Sequence, residues 1–206
     1  MQGDLEETVG VAGQRIPRRL WEAEIVLRCA AWVAGIHGAT LLGMGILWKH
    51  PLRGTPYLPM RVEHLLAAAA MLGASALILH RRERRAIFLA VALHLLYLLY
   101  RLALVISALR ATVGTLDAGG REMFLWGVLT MWGLPGVLDI LLPVFIAFAV
   151  LGRTAKEPFS PALRGMPLAP LSSCLRTGAS ARAWGALGVV VLSLVFVAQL
   201  LFLRLA

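Results

Sequence analysis

Residues 86–109 read AIFLAVALHLLYLLYRLALVISAL, an apolar run that carries His94, Tyr97 and Arg101. About 20 apolar residues, each rising about 1.5 Å along a helix, cross the hydrocarbon core of a bilayer, so this run predicts a membrane-spanning helix. The three polar residues are spaced i, i+3 and i+7, which places them on one face of that helix. The cluster RRERR at 81–85 precedes the run, and we expect it to hold that end of the helix at a membrane surface.

The composition of the whole chain agrees with this interpretation. Of its 206 residues, 59% are hydrophobic and only 15% are charged, whereas about a quarter of the residues in a soluble domain are charged. Backbone groups must be satisfied within each segment inside a bilayer, so the apolar runs are expected to be helical. The sequence therefore predicts an all-α integral membrane bundle of about five transmembrane helices within residues 25–205. The predicted spans are about 25–48, 63–80, 86–109, 123–151 and 184–205.

Two of the intervening regions and one of the spans have distinct features. Residues 1–24 are polar and of mixed charge, and residues 152–183 contain four prolines among Ser, Gly and Arg, which predicts a long surface loop. The run 123–151 contains WGLPG at 132–136. Because Pro135 lacks a backbone donor and restricts the residue before it, we expect a kink or break there. One kinked span is favoured over a re-entrant first half.

The basic residues are distributed unevenly among the polar segments. Outside the spans, Lys and Arg are more numerous in 1–24, 81–85 and 152–183 than in the other segments. The positive-inside rule then predicts a cell membrane protein, plasma or inner, with a cytoplasmic N-terminus and an external C-terminus. The net charge of +9 lies in short segments beside apolar runs. We therefore expect contact with lipid headgroups and no nucleic-acid partner.

Four polar residues are predicted to lie near the middle of the bilayer. Arg101 and Asp139 are the costliest, since a charge at a helix centre costs about 2.5–3.5 kcal/mol on insertion scales. Counted from the middle of each span, both fall within reach of pairing, and His37 and His94 fall at similar depth. Together with Tyr97 they could form a ligand site or an ion path. The alternative is a structural salt bridge with hydrogen-bonded histidines, and a haem held by His37 and His94 is a weaker third hypothesis.

Small residues predict where helices approach closely. Gly35, Ala39 and Gly43 recur every four residues in the first span, and Gly73 lies in the second. These faces support our leading hypothesis, a non-enzymatic accessory or assembly subunit of a larger membrane complex or homo-oligomer. The alternative is a small transporter or permease that uses the polar residues near the midplane.

Motifs of soluble enzymes are not found in the sequence. It contains no GxSxG, HExxH, P-loop or dinucleotide-binding pattern, so no catalytic residue is predicted. Cys29 and Cys174 lack a CxxC partner, so neither a disulfide framework nor a structural zinc site is expected. No resident cofactor or metal is predicted apart from the weak haem hypothesis.

Overall fold

A computed structural model describes residues 8–11, 14–47, 61–128, 134–152, 156, 158–160 and 181–205. Within these ranges a short antiparallel hairpin precedes six helices. The hairpin strands are β1 (Thr8–Val11) and β2 (Gln14–Pro17). The helices are α1 (Arg18–Leu47), α2 (Arg61–Leu79), α3 (Arg84–Val113), α4 (Ala118–Val128), α5 (Leu134–Leu151) and α6 (Ala181–Leu205).

The predicted all-α helical bundle is confirmed. Four helices in the described part of the chain are long and apolar enough to cross a membrane, and their apolar stretches are Arg18–Gly43, Val62–Leu79, Arg84–Val113 and Ala181–Ala198. The helix α5 adds a shorter apolar stretch, Ile140–Leu151. The described residues thus contain four helices of spanning length and the shorter apolar stretch of α5, and the total of five spans stays a prediction.

The predicted span 123–151 corresponds to parts of two helices. Its residues fall in α4 and α5, and residues 129–133 between them lie outside the described part of the chain. The helix α5 begins at Leu134, so Pro135 occupies its first turn. A proline is tolerated there because the missing N–H would have no partner within the helix. Pro143 lies further inside α5.

The first helix begins earlier than the sequence indicates. It starts at Arg18, directly after Pro17, so Trp21 and Glu24 belong to α1 rather than to a polar tail. Trp21 is buried against Ala183 at the start of α6, and this packing extends the helix beyond the apolar run. Most of the predicted loop 152–183 lies outside the described residues, and α6 begins at Ala181 rather than at Trp184.

The helix α1 occupies the centre of the bundle. It packs against α2, α5 and α6, while α3 packs on α2 and α5. A continuous apolar core joins these helices, and its members include Leu27, Ala30, Val33, Ala34, Met71, Ala74, Ile78, Ile87, Val91, Leu142, Ile146, Val150 and Phe196. The outer face of α3 is different, since Phe88, Leu89, Leu93, Leu96 and Leu99 are exposed. Such an apolar face is suited to contact with lipid tails.

The closest approach between α1 and α2 is made at two glycines. A Cβ placed on Gly38 would lie 2.8 Å from Cγ of Leu72 and 2.9 Å from its backbone nitrogen. A Cβ on Gly35 would lie 3.2 Å from Oγ of Ser75. That hydroxyl donates a hydrogen bond to the carbonyl oxygen of Ala31 across 2.7 Å. Small residues thus bring the two backbones together, as expected of membrane helices.

This contact differs from the predicted one in its residues. Gly35 is part of it, but Ala39 is exposed, and a Cβ on Gly43 or Gly73 would meet no described atom within 4 Å. The spacing is therefore i, i+3 through Gly35 and Gly38, because these two residues face α2 while Ala39 turns away from it.

Three contacts gather helix termini at one end of the bundle, which we call the basic end. The Arg81 guanidinium forms a buried ion pair with Glu24, joining the turn after α2 to the start of α1. The Arg84 side chain at the start of α3 donates to the carbonyl of Val150 at the end of α5. Trp21 packs on the start of α6. The basic end thus contains the N-termini of α1, α3 and α6 and the C-termini of α2 and α5.

Candidate functional site

Two buried histidines meet in the interior of the bundle. The Nε2 atoms of His37 on α1 and His94 on α3 are 3.0 Å apart, and the residues are only 1% and 0% exposed. The imidazole planes are nearly perpendicular, at 87°, with ring centroids 4.8 Å apart. A hydrogen bond between two Nε2 atoms requires one to carry the proton and the other to accept it. The contact therefore joins a donor nitrogen of one imidazole to an acceptor nitrogen of the other.

Helix packing positions both rings. On α3, Ile87, Val91, His94 and Leu98 are all buried, and their spacing places them on the face that packs inward. His37 directly precedes Gly38, the residue of closest contact with α2. The helices α1 and α3 both pack on α2 and α5, and the two imidazoles bridge the space between α1 and α3.

A second polar pair lies nearby on α2 and α3. Nη1 of Arg101 is 3.0 Å from Nε2 of His64, and His64 is buried. Since a guanidinium can only donate hydrogen bonds, Nε2 of His64 must accept. This contact favours the neutral tautomer of His64 that carries its proton on Nδ1. Nη1 of Arg101 also lies 3.4 Å from the hydroxyl oxygen of Tyr97.

The ring of Tyr97 joins the two pairs. Its centroid is 5.9 Å from that of His94 and 5.5 Å from that of His64, with the latter contact T-shaped at 78°. We call His37, His94, Tyr97, His64 and Arg101 the histidine cluster. On the other side of the pair, the ring of Phe196 stacks near His37 at a centroid distance of 6.1 Å. The cluster thus receives side chains from α1, α2 and α3, with α6 beside it.

The cluster extends toward one end of the bundle only. At about 1.5 Å per residue, His94 lies about 15 Å along α3 from Arg84, and Arg101 lies about 25 Å from it. The cluster therefore runs from a point about one third of the way along α3 away from the basic end. Toward the basic end, α3 contributes Ile87 and Val91, and α2 contributes Ile78, to the apolar core. Described polar groups of the cluster thus continue from the histidine pair away from the basic end. Toward the basic end the interior is mostly apolar, but it also contains the buried Ser193, the Ser75 hydroxyl and the Nε atom of Arg28.

The structure brings together four of the five predicted site residues. His37, His94, Tyr97 and Arg101 all belong to the cluster. Asp139 lies in α5, but its side chain is outside the described residues, so its pairing with Arg101 stays a prediction.

His64 was missed by the sequence analysis. His64 lies at the start of the predicted second span, 63–80, where an interfacial residue is expected. It is three, four and seven residues before Ala67, Ala68 and Met71, all of which are buried. That helical spacing is a sequence signal that could have placed His64 on the inward face of α2.

The nitrogens of the histidine pair lie closer together than two axial ligands of a haem iron, and the haem hypothesis stays a prediction. An iron held axially by two imidazoles needs its nitrogens on opposite faces of the porphyrin, roughly 4 Å apart if each bond is about 2 Å. The Nε2 atoms are 3.0 Å apart and in direct contact. No group of three or more His, Cys, Asp or Glu side chains in the described ranges is arranged to hold a metal ion.

The chain matches no protein-family model, no curated protein and no solved structure. The chemistry of the histidine cluster is therefore the basis for assigning a function.

Proposed function

We propose that the protein is a small multi-pass membrane transporter that moves protons through the histidine cluster. The observation that carries this proposal is the buried His37–His94 pair with its Nε2 atoms 3.0 Å apart. Imidazole is the side chain best suited to gain and lose a proton near neutral pH. In the pair, a proton can pass between two nitrogens without either ring leaving the bundle.

The location of the pair supports this proposal. Polar groups in the apolar interior of a membrane protein are costly to bury, and they commonly mark proton relays and ion pathways. The pair lies about one third of the way along α3 from its start, and Tyr97, His64 and Arg101 continue from it toward one end of the bundle. A carrier of this design would exchange protons on that side and release them toward the basic end after a change in helix packing.

Proton uptake into proteoliposomes tests the proposal. Vesicles would contain a pH-sensitive dye, and a potassium gradient with valinomycin would supply the driving potential. We expect His37→Gln and His94→Gln each to lower the initial rate by at least about tenfold, since proton transfer by a positioned side chain is a large effect. Glutamine keeps a hydrogen-bonding group at the site but does not exchange a proton in the same way.

The matched control is His80→Gln. His80 is exposed in the turn after α2, and we expect this variant to keep the wild-type rate. Thermal unfolding midpoints would show that all three variants are folded. A wild-type rate equal to that of empty vesicles, or full activity in His94→Gln, would contradict the proposal and leave the cluster with a structural role.

A second function, the accessory or assembly subunit, is favoured by a different observation. Ala39 is exposed, and the described residues leave open space beside Gly43 and Gly73. Small residues facing away from their own bundle can accept a helix of another membrane protein. Gly43→Leu and Gly73→Leu would then disrupt a larger assembly in native membranes without unfolding the chain. A monodisperse monomer in mild detergent and in native membranes would contradict this function.

A further inference from the structure

Exposed basic side chains are concentrated at the basic end of the bundle. Among the described side chains, those of Arg19, Arg82, Arg85, Lys156 and Arg182 are exposed there. Glu83 is the exposed acidic residue among the described side chains of this end. Two further carboxylates there are already engaged, since Glu24 pairs with Arg81 and Glu22 pairs with Arg18.

The opposite end of the bundle shows no such excess. Its exposed charges among the described side chains are Arg110 and Arg121 on one hand and Asp117 and Glu122 on the other. The two signs balance. Among the described exposed side chains, the excess of positive charge therefore lies at one end of the bundle.

The surroundings of these bases indicate what they contact. Arg85 is followed on α3 by Phe88 and Leu89, which are 48% and 59% exposed. Arg182 is followed on α6 by Trp184, which is 62% exposed. Exposed aromatic and apolar groups directly beside bases occur where a helix passes from the hydrocarbon core into the headgroup layer. A surface for nucleic acid or an acidic protein would not need this apolar border.

We propose that the basic end binds the phosphate headgroups of anionic phospholipids in the leaflet that it enters. The five bases come from the start of α1, the turn after α2, the start of α3, the segment after α5 and the start of α6. They thus surround the end of the bundle rather than lining one helix. This inference depends on the chain crossing a membrane and is independent of proton transport.

Lipid titration of the full-length protein tests this proposal. The protein in zwitterionic detergent would be titrated with phosphatidylglycerol or phosphatidylcholine, with bound lipid counted by native mass spectrometry. We expect phosphatidylglycerol to bind at least about 25-fold more tightly at low salt, and the preference to weaken as salt rises. Each base near an anionic surface contributes roughly fivefold. The variant Arg82→Gln/Arg85→Gln should therefore lose roughly 25-fold in affinity for phosphatidylglycerol.

The control removes two charges from the opposite end. Arg110→Gln/Arg121→Gln changes the net charge by the same amount, and we expect its affinity for phosphatidylglycerol to stay within about twofold of wild type. Equal affinity of the wild type for the two lipids, or equal loss in both double variants, would overturn the proposal. Binding of a single-stranded oligonucleotide or of polyglutamate as tight as that of phosphatidylglycerol would also overturn it. Thermal midpoints without lipid would show that both double variants are folded.

Discussion

Nη2 of Arg81 lies 2.5 Å from Oε1 of Glu24, and both side chains are more than nine-tenths buried. Arg81 also has a φ of 48°, a left-handed conformation that is usually adopted by glycine after a helix. An arginine in this conformation costs about 1–3 kcal/mol and persists only where its surroundings favour it. The ion pair with Glu24 favours this conformation of Arg81, because it orders the turn between α2 and α3 against the start of α1.

Breaking this pair on one side should destabilise the bundle strongly. Glu24→Gln or Arg81→Met leaves a buried charge without its counter-ion, and we expect each to lower the free energy of unfolding by about 3–5 kcal/mol. The double variant should lose much less than the sum of the two. Chemical unfolding in detergent, followed by circular dichroism, would measure all three.

The matched control for the ion pair is Glu22→Gln. Glu22 pairs with Arg18 at 3.3 Å, and the side chains are 23% and 40% exposed, so the loss should stay below about 1 kcal/mol. An equal loss for Glu22→Gln and Glu24→Gln would show that burial of the Arg81 pair contributes nothing.

A second prediction concerns the end of α5. Nε and Nη2 of Arg84 lie 3.0 and 2.6 Å from the carbonyl oxygen of Val150, which is in the last turn of α5 and has no partner within the helix. Hydrogen bonds from a charged donor contribute about 1.5–3 kcal/mol, so Arg84→Met should cost that much. Arg85→Met is the control, since Arg85 is exposed, and it should change stability by no more than about 0.5 kcal/mol. Hydrogen exchange at the end of α5 would rise in the first variant only.

These contacts show how far the sequence predicts the fold. The hydrophobic runs identify the helices because their length and composition must match a bilayer. They do not reveal that Arg81 and Arg84 are structural while Arg82 and Arg85 are exposed. All four belong to one basic cluster, and only the packing of α1 and α5 against it separates their roles.

The candidate site illustrates the same limit. Depth along each span placed His37 and His94 in one layer, because rise per residue is nearly constant in a helix. Whether two residues at the same depth face each other depends on how each helix is rotated about its own axis. The position of a residue along the span gives no information about that rotation. His64 was missed for a related reason, since its position at the end of a span outweighed its place on the buried face of α2.

A third prediction concerns the contact between α1 and α2. Because a Cβ on Gly38 would lie 2.9 Å from the backbone nitrogen of Leu72, Gly38→Ala should force the helices apart and cost about 1–3 kcal/mol. Gly73→Ala is the control, since a Cβ there meets no described atom within 4 Å. It should be neutral or gain up to about 1 kcal/mol from helix propensity. Equal effects of the two alanines on the unfolding midpoint would contradict this view of the interface.

A fourth prediction concerns the protonation of His64. Nε2 of His64 lies 3.0 Å from Nη1 of Arg101, and a guanidinium has no acceptor. His64 should therefore be neutral with its proton on Nδ1, a tautomer that is less common in solution than the one protonated at Nε2. Nitrogen chemical shifts of the protein labelled with ¹⁵N-histidine would identify it, with His64→Gln used to assign the resonances.

Removing the Arg101 guanidinium should allow His64 to leave the tautomer that is protonated on Nδ1. In Arg101→Met the Nε2 lone pair of His64 loses its partner, and we expect the imidazole resonances to shift away from the pure Nδ1–H pattern. The resonances of His37 and His94 provide the internal reference, because their shared hydrogen bond does not involve Arg101. A His64 that is doubly protonated, or protonated at Nε2 in the wild type, would show that Arg101 does not donate to it. The orientation of α2 against α3 at the outer part of the histidine cluster would then differ from the one described.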